Sequence, residues 1–136
     1  MNNDRFKFRY VFNTHKEKGI VIEYHSIEDI EKGSLDWMHI KSQQWELLSR
    51  EQCTGLKDKN GTLIFEGDIV RERMFDGEYW HASVKWLDAE YSRCTPSGWF
   101  VGKDDLRLCQ YRLKPIDCET KYEVIGNIHE NGDLLK

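Results

Sequence analysis

The stretch Cys53-Thr-Gly-Leu-Lys-Asp-Lys-Asn-Gly-Thr-Leu-Ile-Phe-Glu-Gly-Asp-Ile-Val70 decides the fold class. Asn60-Gly61 is a strong hairpin signal, because the favoured two-residue turn needs positive φ at both central positions. Thr62 to Phe65 then reads as a short β run. Gly67-Asp68 punctuates it, and Ile69-Val70 starts the next strand. A turn, a strand, a second turn and a second strand within eighteen residues point to a mainly β protein and carry no catalytic or metal-binding pattern.

Working outward, Ile69 to Met74 reads as a strand, Asp76-Gly77 as its turn and Tyr79 to Leu87 as the return. Along the return, Trp80, Ala82, Val84 and Trp86 share one face, which reads as core; Tyr79, His81, Ser83 and Lys85 share the other. Asp88 to Ser97, with Pro96, reads as a loop. Gly98 to Gly102 reads as a short buried strand, Leu106 to Ile116 as a mixed apolar and basic run, and Tyr122 to Ile128 as the last strand. On the N-terminal side, residues 5 to 13 alternate, which predicts a strand with Phe6, Phe8 and Tyr10 on one face. A charged turn closed by Gly19 leads to a partner strand over Ile20 to Tyr24. Ser26 to Gly33 predicts one short helix, with Ser26 and Asp29 forming a capping box, Gly33 as the stop, and Ile27 and Ile30 against the sheet. Residues 34 to 52 are ambiguous. Leu35, Trp37 and Met38 suit a strand or loop, and Gln43 to Gln52 contains helix formers.

Three blocks resemble the YopX family of phage and prophage proteins. They are Lys7-Phe8-Arg9, the run Thr54 to Gly61 continued by Phe65 to Val70, and Glu123-Val-Ile-Gly-Asn-Ile-His-Glu-Asn131. The resemblance implies a small, mainly β protein carried by bacteriophages or prophages, with no activity or catalytic residues attached. It also favours a connecting strand before the Thr-Gly-Leu block, and an aromatic residue rather than a thiol at position 53. The chain departs from the usual family ending at His129, where an aromatic is common, and at Gly132, where a proline is common.

Composition bounds the function. The chain has 136 residues and a net charge of −4, with Lys and Arg scattered rather than blocked, so no basic tail drives nucleic-acid binding. The N-terminus lacks a signal-peptide core and no apolar run approaches a membrane span, so a cytoplasmic protein without membrane contact is expected. Cysteines 53, 94, 109 and 118 include no Cys-x-x-Cys pair and read as free, buried thiols.

Each candidate chemical grouping meets a plainer structural explanation. Asp58 and Asp68 have the form of paired carboxylates, but they sit among turn residues, where Asp58 favours the turn and Asp68 bonds backbone amides. The five histidines, at 15, 25, 39, 81 and 129, show no ligand spacing with one another, with Cys94 or with Asp104. Cys53 has no base beside it. Asp104-Asp105 reads as a solvated pair, and Gly102-Lys103 lacks the rest of a phosphate loop. No cofactor and no metal are expected. The five Trp, six Tyr and six Phe are a richer signal. Most should fill the core. A candidate recognition surface comprises Tyr79, Trp99 and Tyr111 beside Arg71, Arg73, Lys85, Arg107 and Arg112.

The expected architecture is a small SH3-like barrel or strongly bent antiparallel sheet with an N-terminal hairpin and one short helix. Residues 1–52 would form the hairpin and helix region and 53–136 the barrel region of one compact domain. The leading function is a non-enzymatic accessory protein that binds an unknown bacterial or phage protein. The alternative is a small-barrel nucleic-acid binder, and the third reading an enzyme whose site assembles from distant residues. Self-association through exposed edge strands is a further expectation.

Overall fold

A computed structural model describes residues 6–16, 19–87, 98–102, 114–115 and 121–135. The strands in chain order are β1 (Lys7–Asn13), β2 (Ile20–Ser26), β3 (Glu46–Lys57), β4 (Leu63–Phe65), β5 (Asp68–Arg73), β6 (Tyr79–Leu87), β7 (Gly98–Gly102), β8 (Lys114–Pro115) and β9 (Glu123–Asn127). Two short helices, α1 (Ile27–Glu31) and α2 (Trp37–Ser42), lie between β2 and β3, and a 3-10 helix spans Gly132–Leu135. Among the described residues no helix is long and apolar enough to cross a membrane.

The strands form two antiparallel sheets, with orders β2-β1-β3-β4 and β8-β7-β6-β5-β9. The mainly β expectation therefore stands, but the described strands do not close into an SH3-like barrel. Closure requires the outer strands to pair, and here each sheet ends in an edge among the described residues. Gly67 sits where the chain leaves the first sheet for the second. With φ of 82°, it donates from its N–H to Val84 and accepts from the Ile128 N–H, both at 2.9 Å.

Each sheet has its own apolar core. Phe8, Tyr10 and Phe12 of β1 pack with Leu35, Ile40, Trp45, Leu47 and Ile30 beneath the helices. Ile64 of β4 packs with Val70, Ala82, Val84, Val101 and Tyr122 on the second sheet, with Trp80 and Trp99 at the margin. Trp86, expected inside, is nearly half exposed at the strand's end, edge-on to Trp99 with centroids 5.1 Å apart.

The capping box at Ser26 forms as expected, with reciprocal bonds of 3.1 Å between Ser26 and Asp29. Gly33, with φ of 86°, ends that helix. Ile30 packs against the core, whereas Ile27 is more than two-fifths exposed at the rim of a cleft shared with Phe8 and Tyr10. A second helix, which the sequence reading did not contain, occupies Trp37–Ser42. Asp36 caps it by accepting from the His39 N–H at 3.0 Å, and buried Ile40 anchors it. The strand before the Thr-Gly-Leu block begins at Glu46, after Gln44 turns the chain at φ 57°, and runs unbroken to Lys57.

The Asn60-Gly61 hairpin turn exists with a different geometry. Gly61 has positive φ and Asn60 does not. The Gly61 N–H bonds the Asp58 carbonyl at 3.0 Å and the Asp58 N–H bonds the Thr62 carbonyl at 2.8 Å. This is a turn over Lys59-Asn60 followed by a left-handed glycine, the three-residue alternative to the two-residue turn. The β5–β6 hairpin repeats it, with bonds from Gly77 to Met74 and from Met74 to Glu78.

Candidate functional site

β1 pairs on both edges, with β2 and β3, and its consecutive residues Arg9 to Phe12 are all buried, so both its faces are covered. Opposite Phe8, Tyr10 and Phe12 stand Arg9 and Val11. Arg9 is only 3% exposed, and its cross-strand neighbours are Tyr24 on β2 and Glu51 on β3. Its guanidinium is held on three sides. Nε donates to Glu51 Oε1 at 2.6 Å, Nη1 donates to Asp68 Oδ1, and Nη2 donates to the Glu66 carbonyl at 3.0 Å. The Phe65 ring lies against it, 5.4 Å from the guanidinium carbon. Asp68 uses its other oxygen to accept from the Phe65 N–H at 2.8 Å, the backbone role expected of it.

The third sequence block closes the group. His129 Nε2 lies 2.9 Å from Glu51 Oε2. The Asn127 side-chain oxygen accepts from the His129 and Glu130 N–H groups, each at 3.0 Å, which fixes the turn that delivers the imidazole. Gly67 must be glycine here for a second reason. A Cβ on it would fall 2.2 Å from Glu51 Oε2. The three blocks of the chain thus meet at one buried charged centre between the two sheets.

The electrostatics follow from the count of charges. One guanidinium faces two carboxylates, so each carboxylate receives only part of a counter-ion. Burial pushes the Asp68 carboxyl above its ordinary value, and Arg9 draws it back only in part. Burial alone would lower Arg9, but the Asp68 and Glu51 charges outweigh it and hold the guanidinium up. Glu66, half-buried beside Glu51, is also raised, chiefly by burial. This arrangement suits holding two sheets together; each guanidinium nitrogen of Arg9 and each carboxylate oxygen of Glu51 and Asp68 already meets a protein partner.

Asp58 makes a second tie. Its Oδ1 accepts from the Asn60 and Thr62 N–H groups at 2.8 and 2.9 Å, and Oδ2 accepts from the Val124 N–H at 2.9 Å. The turn reading of Asp58 was right, and the bond to β9 adds a long-range role.

A cavity of about 520 Å³ opens beside the charged centre, with Arg9 and Asp68 in its wall and Lys7, Tyr24, Phe65, Leu63 and Val124 around it. Tyr24, 61% exposed, meets Phe65 edge-on at 5.4 Å. A second cleft, about 510 Å³, lies against Glu51, Glu66, Gly67, Ser83 and Lys85.

The predicted recognition residues are placed as follows. Cross-strand pairing puts Arg71 opposite His81, Arg73 opposite Tyr79 and Lys85 opposite Phe100, so Arg71, Arg73, Tyr79 and Lys85 share one face of the second sheet. Trp99 pairs with Trp86 on the other face. Arg71 bonds Glu123 at 2.7 Å and lies over the Tyr79 ring at 4.3 Å. Arg107, Tyr111 and Arg112 lie outside the described residues, as do Cys94, Cys109, Cys118 and Asp104. Cys53 is fully buried, and its sulfur accepts from the Gly55 N–H at 3.4 Å. Among the described residues no three of His, Cys, Asp and Glu are grouped as metal ligands. Sequence reading missed Arg9, Glu51 and His129. The available signal was Arg9 itself, a cation on a strand whose two faces both carry apolar residues.

Among solved structures, the crystal structure of protein EF1440 from Enterococcus faecalis matches at 27% identity, covering 93% of this chain and 75% of that one, with a TM-score of 0.42. No curated protein matches the chain. The model of the YopX protein family matches residues 7–136, nearly the whole length, and this chain belongs to the YopX family.

Proposed function

We propose that this YopX-family protein is a non-enzymatic accessory protein of a phage or prophage, acting by protein–protein contact in the bacterial cytoplasm. One observation carries the contact reading. Phe75, at the tip of the β5–β6 hairpin, is fully exposed, and Met74 and Tyr79 beside it are each at least two-fifths exposed. Large apolar groups gathered at a protruding turn are what partner surfaces bury. The non-enzymatic reading is supported by the charged centre, whose titratable groups are engaged with one another. Family membership supports the phage setting.

The test is a pull-down from bacterial lysate with tagged wild type and Phe75→Ser, each with and without nuclease, read by mass spectrometry. One protein retained by wild type after nuclease and lost with F75S is the expected result. Loss of all retained material on nuclease treatment would favour the nucleic-acid alternative instead. That reading draws on the shared face of Arg71, Arg73, Tyr79 and Lys85, although Arg71 is already paired with Glu123.

A further inference from the structure

We propose that β2 accepts an extended segment of a partner protein as an added strand, with a basic residue of that segment opposite Glu23. The inference rests on the protein-contact reading and names a second surface for it. β2 pairs with β1 on one side over seven residues without a register shift, and among the described residues no strand pairs with its other side. Sheet edges are commonly blunted by lysine, proline, a bulge or very short length. The edge Ile20-Val-Ile-Glu-Tyr-His-Ser26 has none of these; its one acidic side chain, Glu23, lies 3.3 Å from His25 Nε2 on the same strand.

The chemistry of the partner is read from the rows of side chains that cross the sheet and end at this edge. Arg50 on β3, Tyr10 on β1 and Glu23 on β2 form one row, with the Arg50 guanidinium 5.9 Å from the Tyr10 ring centre. The row ends in a carboxylate, and a cation at the next position continues its alternation of charge. Rows on the opposite face end in Ile22 and Tyr24. The residues flanking the cation on an added strand would therefore be apolar, and the one beside Tyr24 would lie at the 520 Å³ cavity that Tyr24 lines. Charge also argues against a second copy of β2 as the occupant. Pairing two β2 strands antiparallel over all seven residues centres the contact on Glu23 and sets one carboxylate against the other.

The probe is a fluorescein-labelled peptide, Ser-Thr-Val-Lys-Val-Thr-Ser, titrated with the full chain and read by anisotropy. Saturable binding is expected. N-methylating one alternate set of its amides should abolish binding while the other set tolerates it, because an added strand bonds through alternate residues. Glu23→Lys should weaken the lysine peptide about tenfold and restore affinity for the peptide with glutamate in its place. Absence of saturable binding at millimolar peptide, indifference to both methylation patterns, or binding unchanged in E23K would each overturn the proposal. So would a wild-type dimer in gel filtration that holds through β2. Running E23K in the pull-down separates the two readings. A protein retained equally by wild type and E23K removes the added strand and leaves protein contact standing; no retention by wild type removes protein contact itself.

Discussion

Replacing Arg9 with methionine should be among the most damaging single changes in this protein. Methionine matches much of the arginine stem, so little cavity is created. What is lost is the cation that faces Glu51 at 2.6 Å, Asp68 and the Glu66 carbonyl at 3.0 Å. Removing one partner from a buried ion pair typically costs about 3–5 kcal/mol, because the opposite charge stays buried without compensation. Summing three charge-assisted hydrogen bonds at about 1.5–3 kcal/mol each would exceed this, and such terms are not additive. The lower range is the prediction. With a urea dependence of about 2 kcal/mol per molar, the unfolding midpoint should fall by roughly 2 M.

Tryptophan fluorescence suits the assay, since Trp45 packs on the first core and Trp80 and Trp99 on the second. The diagnostic comparison is the triple variant Arg9→Met, Glu51→Gln, Asp68→Asn. It removes all three charges while keeping an acceptor for His129 and another for the Phe65 N–H. It should recover at least half of the loss. An R9M cost below about 1 kcal/mol, less than the net worth of most buried charged hydrogen bonds, would refute the reasoning. A triple variant no more stable than R9M would refute it equally.

Gly67→Ala should destabilise by about 3 kcal/mol or more, since φ of 82° and the 2.2 Å approach to Glu51 act together and Glu51 cannot retreat without releasing Arg9 and His129. Gly61→Ala, with similar φ and open space around it, should cost only about 1–2 kcal/mol, and equal costs in urea unfolding would show that the contact with Glu51 is immaterial. Asp68 gives a pH dependence with a definite sign. Its folded pKa is raised by burial, so between the ordinary aspartate value of about 4 and the raised one the native state holds more protons than the unfolded chain. The stability of wild type relative to Asp68→Asn should therefore grow as pH falls through that window and level off below it; a difference that shrinks on acidification would mean that the Arg9 pairing outweighs burial.

Local chemistry was legible in the sequence and long-range chemistry was not. Tyr79–Leu87 and Gly98–Gly102 read as strands with the observed bounds, because alternation and glycine punctuation are properties of neighbouring residues. The Ser26–Asp29 box and the Asp58 turn belong to the same class. The α2 helix escaped because Trp37–Ser42 has no helical period of its own; it is held by the Asp36 cap and by Leu35 and Ile40 in the aromatic cluster. Trp86 fits the inward phase of β6, but the core it would join ends before the strand does. The charged centre was hidden by distance. Arg9 is separated from Glu51 by 42 residues and from Asp68 by 59, and Glu51 from His129 by 78. Alternation in residues 5 to 13 placed Phe6, Phe8 and Tyr10 on one face, and only the packing of the sheets reveals that the face bearing Arg9 is buried as well.

That topology explains what a buried charge does here that an apolar residue would not. With Phe8, Tyr10 and Phe12 on one face and Arg9 and Val11 on the other, an uncharged β1 would offer apolar groups on both faces and a one-residue slip would cost little. With Arg9 in place, the same slip drives the guanidinium among Leu35, Ile40 and Trp45 and strands two carboxylates between the sheets, which adds several kcal/mol against the wrong register. Because β2 hangs on β1, the register also sets which β2 side chains end each row at the open edge, Glu23 on one face and Tyr24 on the other. The triple variant isolates this role, since it should recover at least half of the lost stability without restoring the charge. Its β2 amides should exchange with deuterium at least tenfold faster than those of wild type, after correction for global stability, while β6 amides match. Equal protection in β2 would show that Arg9 holds the sheets together without selecting their register.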